Sequence, residues 1–141
     1  MSKGTKSALV EIDGLVIVYD TPGGAICGLD GARIRIGRGE TLAIVGESGS
    51  GKTTLGMAAG RLLPPEARVE SGRIIVDGVS VVGAGNEELR ALRRDRLGFI
   101  FQNPMSALDP TMRIGRQVAR AIGGRPTTET ISVLLRRAEL D

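Results

Sequence analysis

Apolar side chains recur with two different periods along this chain, and each period predicts a different element. Leu9 to Tyr19 alternates loosely and is rich in β-branched residues, which predicts a strand interrupted at Asp13-Gly14. Ala32 to Ile36 alternates cleanly between apolar and basic residues, which is typical of a half-exposed strand. Thr21 to Gly24 contains Pro and Gly and is expected to turn. The short apolar run from Glu40 to Val45 predicts a buried strand.

Beyond a glycine-rich segment the period changes to that of a helix. Apolar residues with spacings i, i+3, i+4, i+7 and i+8 are Leu55, Ala58, Ala59, Leu62 and Leu63. Pro64-Pro65 is expected to end this helix. Two short strands, over residues 71–77 and 79–82, are predicted around an Asp77-Gly78 turn.

The rest of the chain, from Asn86 onwards, also contains predicted helices and a predicted strand. Asn86 is expected to cap a helix with acidic residues in its first turn and arginines in its last. Leu97 to Phe101 predicts another strand, and Asn103 to Pro110 a loop. Two further helices are marked by Ile114, Val118, Ala121 and Ile122, and by Ile131, Leu134, Leu135 and Ala138. Strands that alternate with helices predict an α/β fold.

The segment from Gly46 to Thr54 matches the pattern G-x-x-x-x-G-K-[ST] between a predicted strand and a predicted helix. Glycines let the backbone turn tightly and point its N–H groups inward, and the helix N-terminus adds a partial positive charge. Lys52 is placed to reach the β- and γ-phosphates of a nucleotide, and the Thr53 hydroxyl to ligate Mg²⁺. The sequence therefore predicts a nucleotide-phosphate site.

Composition excludes several other functions. The 141 residues are enough for one domain. The net charge of +3 would be compatible with binding to nucleic acid. However, the aromatic residues are only Tyr19, Phe99 and Phe101, so a base-stacking platform is poorly supplied and no nucleic-acid partner is expected. With one Cys and no His, neither an internal disulfide nor a structural zinc site is expected. No apolar run approaches the length of a membrane span, so a cytoplasmic protein is the default expectation.

A phosphate loop alone leaves GTPases, kinases and transport or motor ATPases open. Asp95 to Gly98 matches the D-x-x-G of GTPases, but it follows a basic stretch, and no N-K-x-D guanine-reading motif occurs. Arg73 to Asp77 resembles an apolar strand that ends in a Mg²⁺-binding Asp. Because Gly78 follows, a hairpin turn is the better interpretation.

Resemblance to a known family narrows the choice among these classes of nucleotide-binding protein. The whole chain resembles the N-terminal part of an ABC transporter ATP-binding subunit. The strand and loop of residues 40–54 are similar to that family's first motif, residues 71–78 to its β-subdomain hairpin, and residues 99–102 to its glutamine loop. Residues 101–112 and 114–118 resemble the branch that serves peptide and nickel importers.

The resemblance implies a P-loop NTPase fold with an antiparallel β-subdomain, and ATP and Mg²⁺ as cofactors. It implies that Lys52 stabilises the phosphates, that Thr53 and Gln102 hold Mg²⁺ or the attacking water, and that Tyr19 stacks on adenine. The implied nucleotide-binding residues are Tyr19, Gly46, Ser48, Gly49, Ser50, Gly51, Lys52, Thr53, Thr54 and Gln102. The implied partners are transmembrane permease subunits and a second ATP-binding subunit, on the inner face of the cell membrane.

The family pattern is incomplete in these 141 residues. An L-S-G-G-Q signature, an apolar strand ending in Asp-Glu and a switch histidine do not occur in the sequence. Residues 1–141 are therefore expected to be the N-terminal portion of one ATP-binding domain that continues beyond Asp141. Two hypotheses follow. One is the ATPase subunit of an oligopeptide, dipeptide or nickel importer, represented by this part. The other is a non-hydrolysing nucleotide-binding fragment or a non-functional remnant.

Overall fold

A computed structural model of the protein describes residues 8–103, 107–122 and 126–139. The chain divides into two compact units, Met1–Leu92 and Arg93–Asp141. The first unit holds a β-sheet together with the glycine-rich loop, and the second holds two helices.

The sheet of the first unit has four antiparallel strands in the order β2-β1-β3-β4. The strands are β1 (Val10–Thr21), β2 (Gly24–Ile36), β3 (Ala67–Val76) and β4 (Val79–Ser80). The turn predicted between Thr21 and Gly24 joins β1 to β2, because these two residues pair across the strands. Val76 pairs with Val79, so the predicted hairpin at Asp77-Gly78 is also formed. Strand β2 begins eight residues before the strand predicted from Ala32.

Strand β1 is irregular where an interruption was predicted. Its pairing with β2 slips between Ile12 and Leu15, and its pairing with β3 slips after Asp13. Such a bulge bends the strand while both neighbours stay paired on either side of it.

Helix α1 (Lys52–Ala59) lies between β2 and β3 in the chain, and α2 (Asn86–Asp95) follows β4 and crosses the division between the units. Leu55 and Ala58 on α1 are buried, and so are Leu89 and Leu92 on α2. The other buried apolar residues are Ile12, Leu15, Ile17, Leu29, Ile74, Val76, Val81 and Ala84. The core therefore combines one face of the sheet with the apolar faces of short amphipathic helices.

The strand predicted over Glu40 to Val45 is wrong for this structure. These residues have no strand assignment and all are exposed, with Val45 exposed to 89% of its surface. A strand exists only where a neighbour accepts its backbone hydrogen bonds. Within the described residues no strand pairs with this run, so its apolar side chains stay in solvent.

Three smaller predictions are also corrected. Leu97 to Phe101 is not a strand, and Ile100 is almost fully exposed, again without a pairing strand among the described residues. Helix α1 ends at Ala59, before the prolines, because Gly60 caps it. Asn86 is the first residue of α2 rather than its cap, since the Gly85 carbonyl accepts the first helical hydrogen bond, from Leu89 N–H.

The second unit contains the two predicted C-terminal helices, α3 (Ile114–Ile122) and α4 (Thr128–Arg137). The Thr127 hydroxyl caps α4 by accepting from Thr130 N–H at 3.1 Å. The predicted loop from Asn103 to Pro110 lies partly outside the described residues. In the part of the chain that the structure covers, no helix has both the length and the apolar character needed to cross a bilayer.

Candidate nucleotide site

Lys52 lies at the first position of α1, directly after the glycine-rich loop. Its ammonium group donates to the Gly46 carbonyl at 2.8 Å and to the Glu47 carbonyl at 2.5 Å. A third contact, of 3.2 Å, reaches the Ser50 hydroxyl. The positive charge is thereby held against the loop.

The loop approaches strand β2 closely at Gly51. Gly51 has a φ of 85°, and a Cβ there would lie 2.6 Å from Leu29 Cδ2 and 2.7 Å from the Gly28 carbonyl oxygen. Only glycine satisfies both the left-handed backbone and this close contact. The packing on β2 therefore sets where the loop turns into the helix.

The N-terminus of α1 has no side-chain cap and no acidic residue in its first turn. The Gly51 carbonyl accepts from Leu55 N–H at 2.8 Å, which starts the helical ladder. The N–H groups of Lys52, Thr53 and Thr54 precede that ladder and have no acceptor within the helix. Uncapped N–H groups, the helix dipole and an ammonium group at one place form a site suited to a phosphate anion.

The remaining predicted residues of the first unit lie around this site. Ser48, Gly49 and Ser50 are exposed loop residues, and Thr53 is exposed in the first turn of α1. Tyr19, near the end of β1, is hydrogen-bonded through its hydroxyl to Thr54 Oγ1 at 2.8 Å. Tyr19 therefore contacts the phosphate-loop helix, although 35 positions separate the two residues in the sequence.

Gln102 belongs to the second unit, where it is exposed and follows two phenylalanines. The rings of Phe99 and Phe101 stack with centroids 6.3 Å apart. The structure describes Gln102 within its own unit, so its role at the loop stays a prediction.

Two carboxylates outside the phosphate loop have structural partners. Asp77 lies in the β3–β4 turn and pairs with the guanidinium of Arg38. The Asp109 carboxylate accepts from the Thr111 hydroxyl at 2.6 Å and from Thr111 N–H at 2.9 Å. These two hydrogen bonds hold the pKa of Asp109 below its ordinary value.

A cleft of about 400 Å³ lies elsewhere in the first unit, between the end of α1, strand β3 and the two valines that follow β4. Its lining joins Leu63, Pro64 and Pro65 to Arg61 and Arg68, and includes no residue of the phosphate loop. This cleft is therefore separate from the phosphate-loop site.

Sequence reasoning did not include Gly28 and Leu29, on which the loop packs. The available signal was weak: a glycine inside a strand marks a bulge or a close backbone approach. That signal requires β2 to be predicted from Gly24, whereas the alternation becomes clear only from Ala32.

Known proteins share this fold. The family described as ABC transporter matches residues 29–141. The dimeric cassette MJ0796, in a post-hydrolysis state with ADP and Pi, superposes with a TM-score of 0.77 at 26% identity, over 94% of this chain and 58% of that one. A second dimeric structure of MJ0796, a bacterial ABC transporter cassette, gives a TM-score of 0.76 at 25% identity, with the same coverage.

Curated relatives with similar sequences carry peptide-transport names. An oligopeptide transport ATP-binding protein OppD of Bacillus subtilis is 38% identical over 81% of this chain and 32% of its own length. A putative peptide import ATP-binding protein of Brucella ovis is 41% identical over 79% of this chain and 33% of its own length. The OppD of Mycobacterium tuberculosis is 38% identical over 82% of this chain and 19% of its own length. The chain thus spans a third or less of these relatives.

The fold is that of an ATP-binding cassette with an antiparallel β-subdomain, which confirms the predicted class. The chain belongs to the ABC transporter family.

Proposed function

We propose that this chain binds ATP through the loop from Gly46 to Thr54. The observation that carries the proposal is the Lys52 ammonium held over the loop at the uncapped N-terminus of α1. In this proposal the loop N–H groups enclose the phosphates, and Lys52 balances the charge on the β- and γ-phosphates. Ser48, Gly49, Ser50 and Gly51 contribute backbone contacts.

Mg²⁺ fits the same end of the site by its ligand chemistry. The Thr53 hydroxyl is an exposed oxygen in the first turn of α1, and Mg²⁺ prefers oxygen ligands. We assign Thr53 to the metal, and Gln102 as a second oxygen donor for the metal or for the attacking water. Bound Mg²⁺ would neutralise charge on the phosphate oxygens.

We assign the adenine side of the site to Tyr19. Its ring lies at the end of β1 and is tied to the phosphate-loop helix by the bond to Thr54. An aromatic ring that is hydrogen-bonded to the helix following the loop is suitably placed to stack on a base.

At the level of the whole protein, we infer an ATP-binding subunit that energises import of oligopeptides or dipeptides. The peptide-transport names of the relatives support peptide as the cargo, with nickel as the alternative that the resemblance leaves open. The partners would be permease subunits in the membrane and a second ATP-binding subunit. Residues 1–141 would then form the N-terminal portion of one ATP-binding domain, located at the cytoplasmic face of the membrane.

Titration calorimetry with Mg-ATP tests the site. Lys52→Ala should weaken binding about ten- to a hundredfold, because a charge-assisted contact to phosphate contributes about 1.5–3 kcal/mol. Arg90→Ala is the matched control, since it removes one positive charge from an exposed position on α2. Equal affinities for Lys52→Ala and the unaltered chain would show that the loop is not the site.

A further inference from the structure

Gly28 lies beneath the ring of Tyr19. A Cβ at Gly28 would approach Tyr19 Cε2 to 2.5 Å and Cδ2 to 2.8 Å, distances that real Cβ atoms do not adopt. The ring therefore occupies the space in which any other residue would carry its side chain. Gly28 itself is the extra residue of a bulge, because the pairing slips by one between Ile17–Leu29 and Val18–Cys27.

The same point of β2 also receives the phosphate loop. The Gly28 carbonyl oxygen and the Leu29 side chain form the surface against which Gly51 packs. Tyr19 then reaches across to Thr54 Oγ1, two residues after Lys52. The aromatic ring and the phosphate loop are thus positioned by one strand segment, and a hydrogen bond joins them.

We propose that Gly28 is a positioning residue of the ATP site: its missing side chain sets the ring of Tyr19 in place against the phosphate-loop helix. The inference rests on the proposed ATP binding and adds to it a residue that does not touch nucleotide. Gly28 has no left-handed φ, so alanine fits the backbone there. In Gly28→Ala the ring of Tyr19 must move away from the new Cβ, and its hydrogen bond to Thr54 is lost.

The effect should be confined to the base side of the site. Loss of one hydrogen bond and of the ring placement should raise the Kd for Mg-ATP about three- to tenfold in Gly28→Ala. Binding of inorganic tripolyphosphate should not change, because that probe carries no base. Gly83→Ala is the matched control, since Gly83 is exposed and its Cβ would meet only Ser80 Oγ, at 3.8 Å.

Tyr19 supplies a direct spectroscopic readout, because the chain contains one Tyr and no Trp. Tyrosine fluorescence and near-ultraviolet circular dichroism at the tyrosine bands therefore report on this ring. Both signals should change in Gly28→Ala and stay unaltered in Gly83→Ala. An unaltered tyrosine signal in Gly28→Ala would contradict the proposed displacement.

A double-mutant cycle then separates positioning from a general structural role. In a Tyr19→Ala background, Gly28→Ala should have no further effect on ATP affinity. An equal loss in both backgrounds, or an equal loss for ATP and tripolyphosphate, overturns the inference. If Gly28→Ala does not fold, Tyr19→Phe takes its place: it removes the hydroxyl alone, and unchanged ATP affinity in that variant counts against the inference.

The two proposals fail differently. An unaltered chain that binds neither ATP nor tripolyphosphate refutes the proposed function and this inference together. An unaltered chain that binds ATP with a Lys52-dependent affinity, while Gly28→Ala binds it equally well, refutes the positioning role of Gly28 alone.

Discussion

The Lys52 ammonium group donates a hydrogen bond to the Gly46 carbonyl oxygen over 2.8 Å, and so joins the two ends of the glycine-rich loop. These residues are six positions apart, and residues 47–50 of the loop between them are exposed. Lys52 consequently holds the loop closed in this structure and places its positive charge against the loop.

This chain alone should hydrolyse ATP no faster than the uncatalysed background. Within the 141 residues no Asp-Glu ends an apolar strand, and no signature motif is available to face the γ-phosphate from a second copy. Groups that position or activate water typically contribute about 10² to 10⁴ in rate. Phosphate release should therefore be the same for the unaltered chain and for Lys52→Ala. Steady turnover that disappears in Lys52→Ala would contradict this and would direct attention to Asp77 or Asp109 as the group that activates water.

Leu15→Ala should lower the free energy of unfolding by about 2–5 kcal/mol, because the side chain is fully buried and its removal leaves a cavity. Leu42→Ala is the matched control, since Leu42 is 43% exposed in the unpaired run before the loop. It should change the free energy of unfolding by no more than about 0.5 kcal/mol. Urea unfolding followed by circular dichroism measures both. Equal losses would mean that the run from Glu40 to Val45 is packed in solution.

The exposed apolar run should make the isolated chain associate with itself. Leu42, Ile44 and Val45 lie within residues 42–45 and are exposed to 43%, 45% and 89%. Contiguous exposed apolar residues with unpaired backbone groups favour intermolecular pairing. Val45→Ser should therefore reduce the aggregated fraction in sedimentation velocity experiments.

Val133→Ser is the control for that experiment. Val133 is 50% exposed on α4, where the helix already satisfies its backbone hydrogen bonds. This variant should leave the aggregated fraction unchanged. A similar reduction in both variants would indicate a general effect of surface hydrophobicity rather than strand pairing.

Asp109 should titrate below the ordinary range of an aspartate. The Thr111 hydroxyl donates to it, Thr111 N–H donates as well, and Arg120 adds a smaller favourable charge, and each of these lowers its pKa. The stability that ionised Asp109 gives to this turn is fully present above the ordinary Asp pKa. It is lost as the pH falls through the lowered pKa.

Carbon-detected NMR titration of the Asp109 carboxyl group measures its pKa. Thr111→Val should raise the Asp109 pKa towards its ordinary value, because it removes the hydroxyl donor and leaves the backbone donor in place. Thr128→Val, at an exposed position at the start of α4, is the control and should leave the Asp109 pKa unchanged.

The sequence alone determined the features that depend on neighbours along the chain. The phosphate-loop pattern placed Lys52 at the start of a helix, and the Asp77-Gly78 pair predicted the β3–β4 hairpin. The two C-terminal helices followed from their apolar period. These elements form through contacts only a few residues apart, so local composition is enough to specify them.

The tertiary structure decided whatever needs a partner from a distant part of the chain. An apolar run such as Glu40 to Val45 has the composition of a strand, but it becomes one only when another strand pairs with it, and among the described residues none does. The bond from Tyr19 to Thr54 and the bulge at Gly28 likewise arise where β1, β2 and α1 meet. Local composition does not predict these contacts, because the missing side chain at Gly28 matters only once the ring of Tyr19 packs against it.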